Sequence, residues 1–422
     1  MESLPAGEQA EQCRPWQSTF YACWIAQLFS HVGFSFVMPF IPFYIEELGV
    51  ADQGQVAIWS GIVTMAMGLT MTVFSPIWGA VADRYGRKPM VERAMFGGAV
   101  ILTLMGRARN VYELATLRFI QGALTGTVVA TTALVSSISP RERLGYNLGL
   151  MQVAMLVGVA LGPWLGGTVA DQFGYRPPFY VAGAMLFLGG LVVLLFAHEG
   201  FRRPERAAGG NHGLRQAFGG RGMLAILSVF FFTRFSMSFV GPIFPLFVEE
   251  IAVGMPAATI AGMLMAVAGI ASGLSAVIVG RVSDRVGHKR LLVASATVSS
   301  LLAAVHALVQ SVGQLFGLRL TWGFATGGTS PAINALIGTS VSSDTYGRSY
   351  GISQSASALG MALGPLAGGL VASALGLRWP FVIMGGLLLM CAVLVQRFVR
   401  PSRSGAPAPA PPAPHTPTVI GK

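Results

Sequence analysis

Gly79-Ala-Val-Ala-Asp83-Arg84-Tyr-Gly86-Arg87-Lys88 is written twice in this chain: it returns as Gly280-Arg-Val-Ser-Asp284-Arg285-Val-Gly287-His288-Lys289, shifted by 201 positions (79 to 280). Three other segments repeat at nearly the same interval. Leu117-Arg118-Phe-Ile-Gln121-Gly122 returns as Leu318-Arg319-Leu-Thr-Trp322-Gly323, shifted by 201 (117 to 318). Gly158-x-x-x-Gly162-Pro163-x-x-Gly166-Gly167 returns as Gly360-x-x-x-Gly364-Pro365-x-x-Gly368-Gly369, shifted by 202 (158 to 360). Pro39-Phe-Ile-Pro42-Phe-Tyr-Ile-Glu46-Glu47 returns as Pro242-Ile-Phe-Pro245-Leu-Phe-Val-Glu249-Glu250, shifted by 203 (39 to 242). Four motifs at one interval mark an internal duplication. The chain is two homologous halves in series.

The solvent of these halves follows from composition. Hydrophobic residues make up 53% of the 422 and charged residues only 11%, against about 25% charged in soluble domains. The 54 glycines allow helices to approach closely in lipid, where packing drives association. A span needs about 20 mainly apolar residues. Twelve stretches are predicted to cross: 17–43, 57–80, 89–107, 113–136, 146–170, 178–197, 223–247, 258–280, 290–311, 313–337, 347–373 and 379–398. The predicted fold is therefore an all-α membrane protein of twelve transmembrane helices in two six-helix pseudo-symmetric halves. The expected division is a tail at 1–16, halves at 17–197 and 223–398 joined by a linker at 198–222, and a disordered Ala/Pro-rich tail at 399–422.

The net charge of +11 is spread between apolar segments. That distribution argues for membrane orientation and against nucleic acid as a partner. Arg84–Lys88, Arg141, Arg143, the run from Arg202 to Arg221, Arg281–Arg290, Arg348 and the tail from Arg397 fall on one side. Opposite them are little more than Arg107, Arg109, Arg176 and Arg378. The positive-inside rule then predicts both termini and the linker to be cytoplasmic. Glu2, Glu8 and Glu11 beside a single Arg14 make a poor signal-peptide n-region, so the first apolar segment is expected to stay as a helix. Cys13, Cys23 and Cys391 have no metal-ligand spacing, and neither a P-loop nor a metal cluster is evident, so no cofactor is expected and an ion gradient is the energy source.

On these motifs the chain resembles the major facilitator superfamily, and within it the twelve-span drug:proton antiporters, including multidrug efflux proteins. The Gly79–Lys88 loop resembles the family's loop between helices 2 and 3, Leu117–Gly122 its helix 4 motif, and Gly158–Gly167 its helix 5 antiporter motif. The resemblance implies a cytoplasmic latch in which Asp83 meets the start of helix 11 and Arg87 an acid near the end of helix 4. This sequence has Ser136, Ser139 and Pro140 there, with Glu142 the nearest acid. It also implies proton coupling through Arg118 and export rather than import, although the second copy of the glycine motif weakens the sign of direction.

Read on their own, the residues of the loop suit a tight contact that breaks and reforms. Gly79 and Gly86 permit close packing and a turn, Asp83 can accept from amides at a helix start, and Arg84 and Arg87 supply positive charge. The bland reading is a solvated basic loop that only sets topology. Arg118 within an apolar span demands a cavity or partners, with Gln121 near enough to share them, or else it snorkels to the surface; the same pair of readings applies to Arg319. Glycines at four-residue spacing, with Gly162 and Pro163 at their centre, make a flat strip against which a helix can pack or slide.

The resemblance implies a pathway lined by helices 1, 4, 7 and 10, from which Phe34, Met38, Phe235, Met237 and Trp322 are candidate apolar contacts, though an apolar stripe on a membrane helix more often faces lipid or a neighbouring helix. Arg234 is a candidate for an anionic group on cargo. No carboxylate falls near a span midpoint, which favours neutral or anionic lipophilic cargo over cations. His31 is the first candidate proton carrier, because its intrinsic pKa lies in the useful range, with Glu46 and Glu47 at the outer mouth as the others, unless they are simply solvated ends of helix 1. The expected function is proton-coupled efflux of small lipophilic compounds by alternating access, working as a monomer in a bacterial inner membrane. Uptake or facilitated passage of a metabolite such as a sugar or organic acid is the alternative. No nucleophile, carboxylate pair or metal set suggests an enzyme.

Overall fold

The computed structural model describes residues 16–124, 126–199, 221–329, 333 and 346–398, and among them the chain is helical with no strand. Most of both predicted tails and of the linker lies outside these residues, as does the end of the predicted span 313–337. In chain order the helices are α1 (Trp16–Phe36), α2 (Ile41–Glu47), α3 (Gln53–Tyr85), α4 (Lys88–Met105), α5 (Val111–Leu124), α6 (Thr127–Ile138), α7 (Leu144–Phe173) and α8 (Pro177–Phe196). They continue with α9 (Arg221–Phe239), α10 (Phe244–Ile251), α11 (Ala257–Val286), α12 (His288–His306), α13 (Val312–Gly327), α14 (Tyr346–Leu375) and α15 (Trp379–Phe398).

Three predicted spans are broken, each for a local reason. Span 1 is α1 and α2 joined by a 3₁₀ turn at Met38–Phe40, and span 7 is α9 and α10 joined at 240–243. Both breaks fall on the repeated Pro-x-x-Pro, because Pro39 and Pro242 carry no N–H to continue an α-helical ladder while Pro42 and Pro245 fit a first helical turn. Span 4 breaks between α5 and α6 at Gly126, whose φ of 133° is open to glycine and costly for other residues.

Among the described residues nine stretches, the broken ones counted as single spans, are long and apolar enough to cross a membrane, where the sequence predicted twelve. The difference lies in α4, α12 and α13. The 18 residues of α4 include Lys88, Glu92 and Arg93, α12 is rich in Ser, Thr and Ala, and α13 has only 16 residues. All three nonetheless pack in the bundle.

Packing follows the duplication. In the first half α1 packs on α7 and α8, α4 on α8, and α3 on α5. In the second half α9 packs on α14 and α15, α12 on α15, and α11 on α13. The halves meet through α3 on α14 and α7 on α11. The far end of the bundle, away from the Gly79–Lys88 loop, is tied by a repeated ion pair. Arg176 Nε donates to Glu47 Oε1 at 2.8 Å and Arg378 Nη2 to Glu250 Oε1 at 3.1 Å. Each arginine also reaches a carbonyl at the end of a third helix, Gly106 at 3.4 Å and Ala307 at 2.9 Å. The hydrogen bond to Glu47 holds the Arg176 guanidinium above its ordinary pKa.

Candidate functional site

At the end that carries the Gly79–Lys88 loop, α3 runs to Tyr85 and stops at Gly86, whose φ of 98° makes the turn into α4. The predicted close packing at Gly79 is absent: a Cβ there meets nothing within 4 Å. Asp83 is exposed and makes no hydrogen bond or ion pair among the described residues, and Arg84 lies over the Tyr85 ring at 5.3 Å. Arg87 does not find an acid on helix 4; its Nη1 donates to the Ala133 carbonyl in α6 at 2.9 Å. The acid at this corner is Glu199, just beyond α8. Its carboxylate accepts from the Arg87 amide at 2.9 and 2.8 Å and from the Lys88 amide at 2.7 Å. Free amides at a helix start attract a carboxylate, so Glu199 closes the first turn of α4. Lys88 Nζ donates to the Leu194 carbonyl at 3.1 Å, and its repeat Lys289 to Gln396 at 2.9 Å.

Arg118 does not snorkel. It is 3% exposed, its Nη1 donates to Gln121 Oε1 at 3.1 Å, and Met67 Sδ of α3 lies 3.5 Å away. Among the described residues Nε and Nη2 have no partner. The position of this guanidinium is held by Gln121, three residues along the same face of α5, as helical spacing requires. Its repeat Arg319 is also buried, with its guanidinium 3.5 Å over the Phe244 ring and 5.3 Å from Trp322, a cation–π arrangement. Trp322 also meets His306 edge-on at 6.3 Å.

His31 is part of a polar chain between α1 and α6. Gln27 Nε2 lies 3.1 Å from His31 Nε2, and Thr131 Oγ1 donates to Gln27 Oε1 at 2.6 Å. The Thr131 hydroxyl also lies 2.8 Å from the Thr127 carbonyl, so the chain runs from the α6 backbone through Thr131 and Gln27 to the His31 ring. Gln27 and Thr131 are both buried. The other candidates are dispersed. Phe34 packs inside the first half, 3.4 Å from where a Cβ on Gly98 would stand. Met38 is exposed at the break in span 1, and Glu46 is exposed at the end of α2. Phe235 stacks on Phe231 with centroids 5.6 Å apart. Arg234 is half-buried on the same helix, and its carbonyl accepts from Ser238 at 2.9 Å.

The glycine strip divides its work. Gly158, Gly162 and Gly166 seat α7 on α1: a Cβ at Gly158 would stand 2.5 Å from His31 Cβ, at Gly162 2.7 Å from the Val32 carbonyl oxygen, and at Gly166 2.6 Å from the Phe36 carbonyl carbon. Ser35 Oγ closes this seam by donating to the Gly158 carbonyl at 3.0 Å. The repeat does the same, with Gly360, Gly364 and Gly368 against α9 and Ser238 donating to the Gly360 carbonyl at 3.3 Å. The last glycine of each motif turns to the other half. Gly167 meets the Ala258 backbone of α11, and Gly369 meets Ala57 of α3. Pro163 follows, its carbonyl against Gly262 of α11.

Three participants were missed from sequence. Glu199 stood as one acid in a linker, Gln27 and Thr131 as isolated polar residues in apolar spans. A polar residue within a span was the available signal for the last two.

The comparisons agree with this architecture. The family model described as Major Facilitator Superfamily matches residues 23–250 and again 226–421. Multidrug resistance protein MdtG of Citrobacter koseri is 34% identical over 383 residues, 90% of this chain and 94% of that protein. MdtG of Dickeya zeae is 35% identical over 381 residues, 89% and 93%. Among solved structures, a bacterial homologue of the human lysosomal transporter Spinster, inward-facing and occupied, superposes with a TM-score of 0.76 at 15% identity, covering 91% of this chain and 97% of that one. The nucleoside transporter NupG superposes with a TM-score of 0.72 at 14% identity, covering 90% and 98%. With its duplicated halves, its paired glycine seams and this similarity along nearly its whole length, the chain belongs to the major facilitator superfamily and is an integral, multi-pass membrane transporter.

Proposed function

We propose that the protein is a proton-coupled exporter of small lipophilic compounds, neutral or anionic, that works by alternating access between its halves as a single copy in a bacterial inner membrane. The observation that carries this reading is the placement of the cross-half contacts. Every glycine of α3 that approaches α14 lies in its first half, at Gly54, Gly61 and Gly68, and the buried residues of α3 end at Thr70. The rest of α3, to Asp83, is half-buried or exposed. Contact at one end with exposure at the other is what one side of a rocking cycle requires. Basic residues concentrated at the Asp83 end support a cytoplasmic position for that end and for both termini.

The cargo class follows from charge. Arg118 and Arg319 are buried arginines without a carboxylate partner among the described residues. Such surroundings repel a permanent cation and tolerate a neutral or anionic group. The related proteins named for multidrug resistance favour varied lipophilic cargo over a single metabolite. His31 is the proposed proton carrier, oriented by Gln27 and Thr131, and Asp83 the proposed latch at the cytoplasmic end.

The test is efflux from cells preloaded with neutral, anionic and cationic dyes, with and without a proton uncoupler. Uncoupler-sensitive loss of neutral and anionic dyes is expected, and Asp83→Asn lowers it at unchanged membrane abundance. Strong export of a permanent cation refutes the cargo class. Gradient-independent entry of a sugar or organic acid in place of efflux refutes the exporter.

A further inference from the structure

The duplication allows the two seams between the halves to be compared position by position. In each, the last glycine of the strip meets a helix of the other half: Gly167 against Ala258 and Gly369 against Ala57. Both seams lie toward the far end of the bundle. Their polar closures differ. Asp171, one turn beyond Gly167, reaches the start of α11, where Oδ2 accepts from the Thr259 amide and from the Thr259 hydroxyl, each at 2.6 Å. The Ile260 amide already bonds to the Pro256 carbonyl at 3.1 Å, so Thr259 offers an amide of the first turn, where helix N–H groups lack an internal acceptor. At the matching place in the second half, 202 positions on (171 to 373), stands Ser373, which has no carboxylate. The start of α3 beneath it is capped from its own side, Asp52 Oδ2 accepting from the Gln55 amide at 2.8 Å.

We propose that Asp171 is a positioning residue of the transport cycle: its carboxylate, docked on the first turn of α11, holds the halves together at the far end, and the bond to Thr259 breaks each time the pathway opens there. The cap that Asp52 makes is internal to the first half and survives any relative motion of the halves, whereas the bond of Asp171 exists only while they touch. A negative group at a helix start is favourable there, and hydrogen bonds to a charged acceptor are the stronger kind. Asp171 is exposed and Thr259 half-buried, and the bond between them lies open to solvent, so water replaces the bond when the seam parts. That keeps the clasp weak enough to open in each turnover while biasing the resting state toward closure. The clasp serves only one of the two seams, which makes the far-end gate unequal despite the duplication.

The clasp rests on the alternating-access reading, and its test separates the two. Spin labels at Tyr112 and Leu308, both exposed and one in each half at the far end, report the cross-half distance in the full chain reconstituted in lipid nanodiscs. Wild type is expected to show a short and a long population. Asp171→Ala is expected to raise the ratio of long to short about fivefold, the lower end of typical coupling between states. Thr259→Val, which keeps the amide and loses the hydroxyl, gives a smaller rise, as does Asp171→Asn, which keeps an acceptor without the charge. Ser373→Ala leaves the ratio at the wild-type value. An unchanged ratio in Asp171→Ala, or an equal rise in Ser373→Ala, overturns the clasp while leaving dye efflux as an independent test of transport. One distance population in wild type under all conditions overturns the clasp together with alternating access.

Discussion

Replacing Gly167 by Ala tests the seam between the halves at its tightest point. A Cβ at this position would stand 2.6 Å from the Ala258 carbonyl carbon and 2.9 Å from the Thr259 nitrogen, and closer still to the Ala258 carbonyl oxygen. Non-bonded heavy atoms settle at about 3.5–4.0 Å, so α7 and α11 must part by about 1 Å. All three neighbours are backbone atoms, and no rotamer change can relieve them. Overpacking of this kind costs about 1–3 kcal/mol. The gain of Ala over Gly in helix propensity, about 1 kcal/mol, is present whether the seam is open or closed and cancels between those states. The overlap exists only in the closed seam, so the ratio of open to closed at the far end should rise by about 5–150-fold. The assay is the rate at which a cysteine at Ala57, buried in the companion seam, reacts with a membrane-impermeant maleimide. Gly149→Ala, in the same helix with nothing within 4 Å of the new Cβ, is the matched control and should react as its parent. Equal reactivity of the Gly167→Ala and Gly149→Ala proteins would refute the reasoning.

Further predictions concern the polar contacts. Glu199→Ala strips the first turn of α4 of its acceptor and should lower stability by about 1–2 kcal/mol, the usual cost of losing a helix cap. Its apparent melting temperature in detergent should fall, while Glu199→Gln, which keeps one acceptor oxygen, should fall less. Thr131→Val removes the donor that orients Gln27 and leaves a buried acceptor unpaired, costing about 1–3 kcal/mol; uncoupler-sensitive efflux should drop more than dye binding, and an equal drop in both speaks against His31 as the proton carrier. Arg118→Lys retains charge but loses the planar fork that Gln121 meets, so efflux should fall at least about fivefold by the same unpaired-acceptor arithmetic. Glu47→Gln, in an exposed ion pair, should change stability by less than about 1 kcal/mol; a larger loss in thermal unfolding would show that the far-end ties hold more than their exposure implies.

Much of the architecture was legible before any coordinates. The repeat interval gave two halves, and the same interval recurs in the structure as paired contacts: Arg176 with Glu47 and Arg378 with Glu250, Lys88 with Leu194 and Lys289 with Gln396. The two Pro-x-x-Pro segments were legible only as a repeat; that they divide spans 1 and 7 into two helices each was decided in the structure. The site was less legible. The four-residue glycine spacing identified a packing face but not that its last glycine serves the other half. Arg118 and Gln121 were paired from helical spacing alone, because their separation is local. Arg87 was expected to meet an acid on helix 4 and meets a carbonyl there, since the acid at that corner comes from a residue 112 positions away.

What the amino-acid sequence determined by itself, then, is what depends on composition, period and local backbone chemistry: membrane solvent, helical class, duplication and the turn at Gly86. Only the tertiary structure decided which buried groups face one another. Helical periodicity states which residues share a face, but the neighbour of that face is chosen by how helices more than 80 positions apart pack. The Asp171–Thr259 clasp and the Thr131–Gln27 contact join residues separated by 88 and 104 positions. Their energies depend on distances of a few ångströms between helices, and no pattern within either helix encodes them.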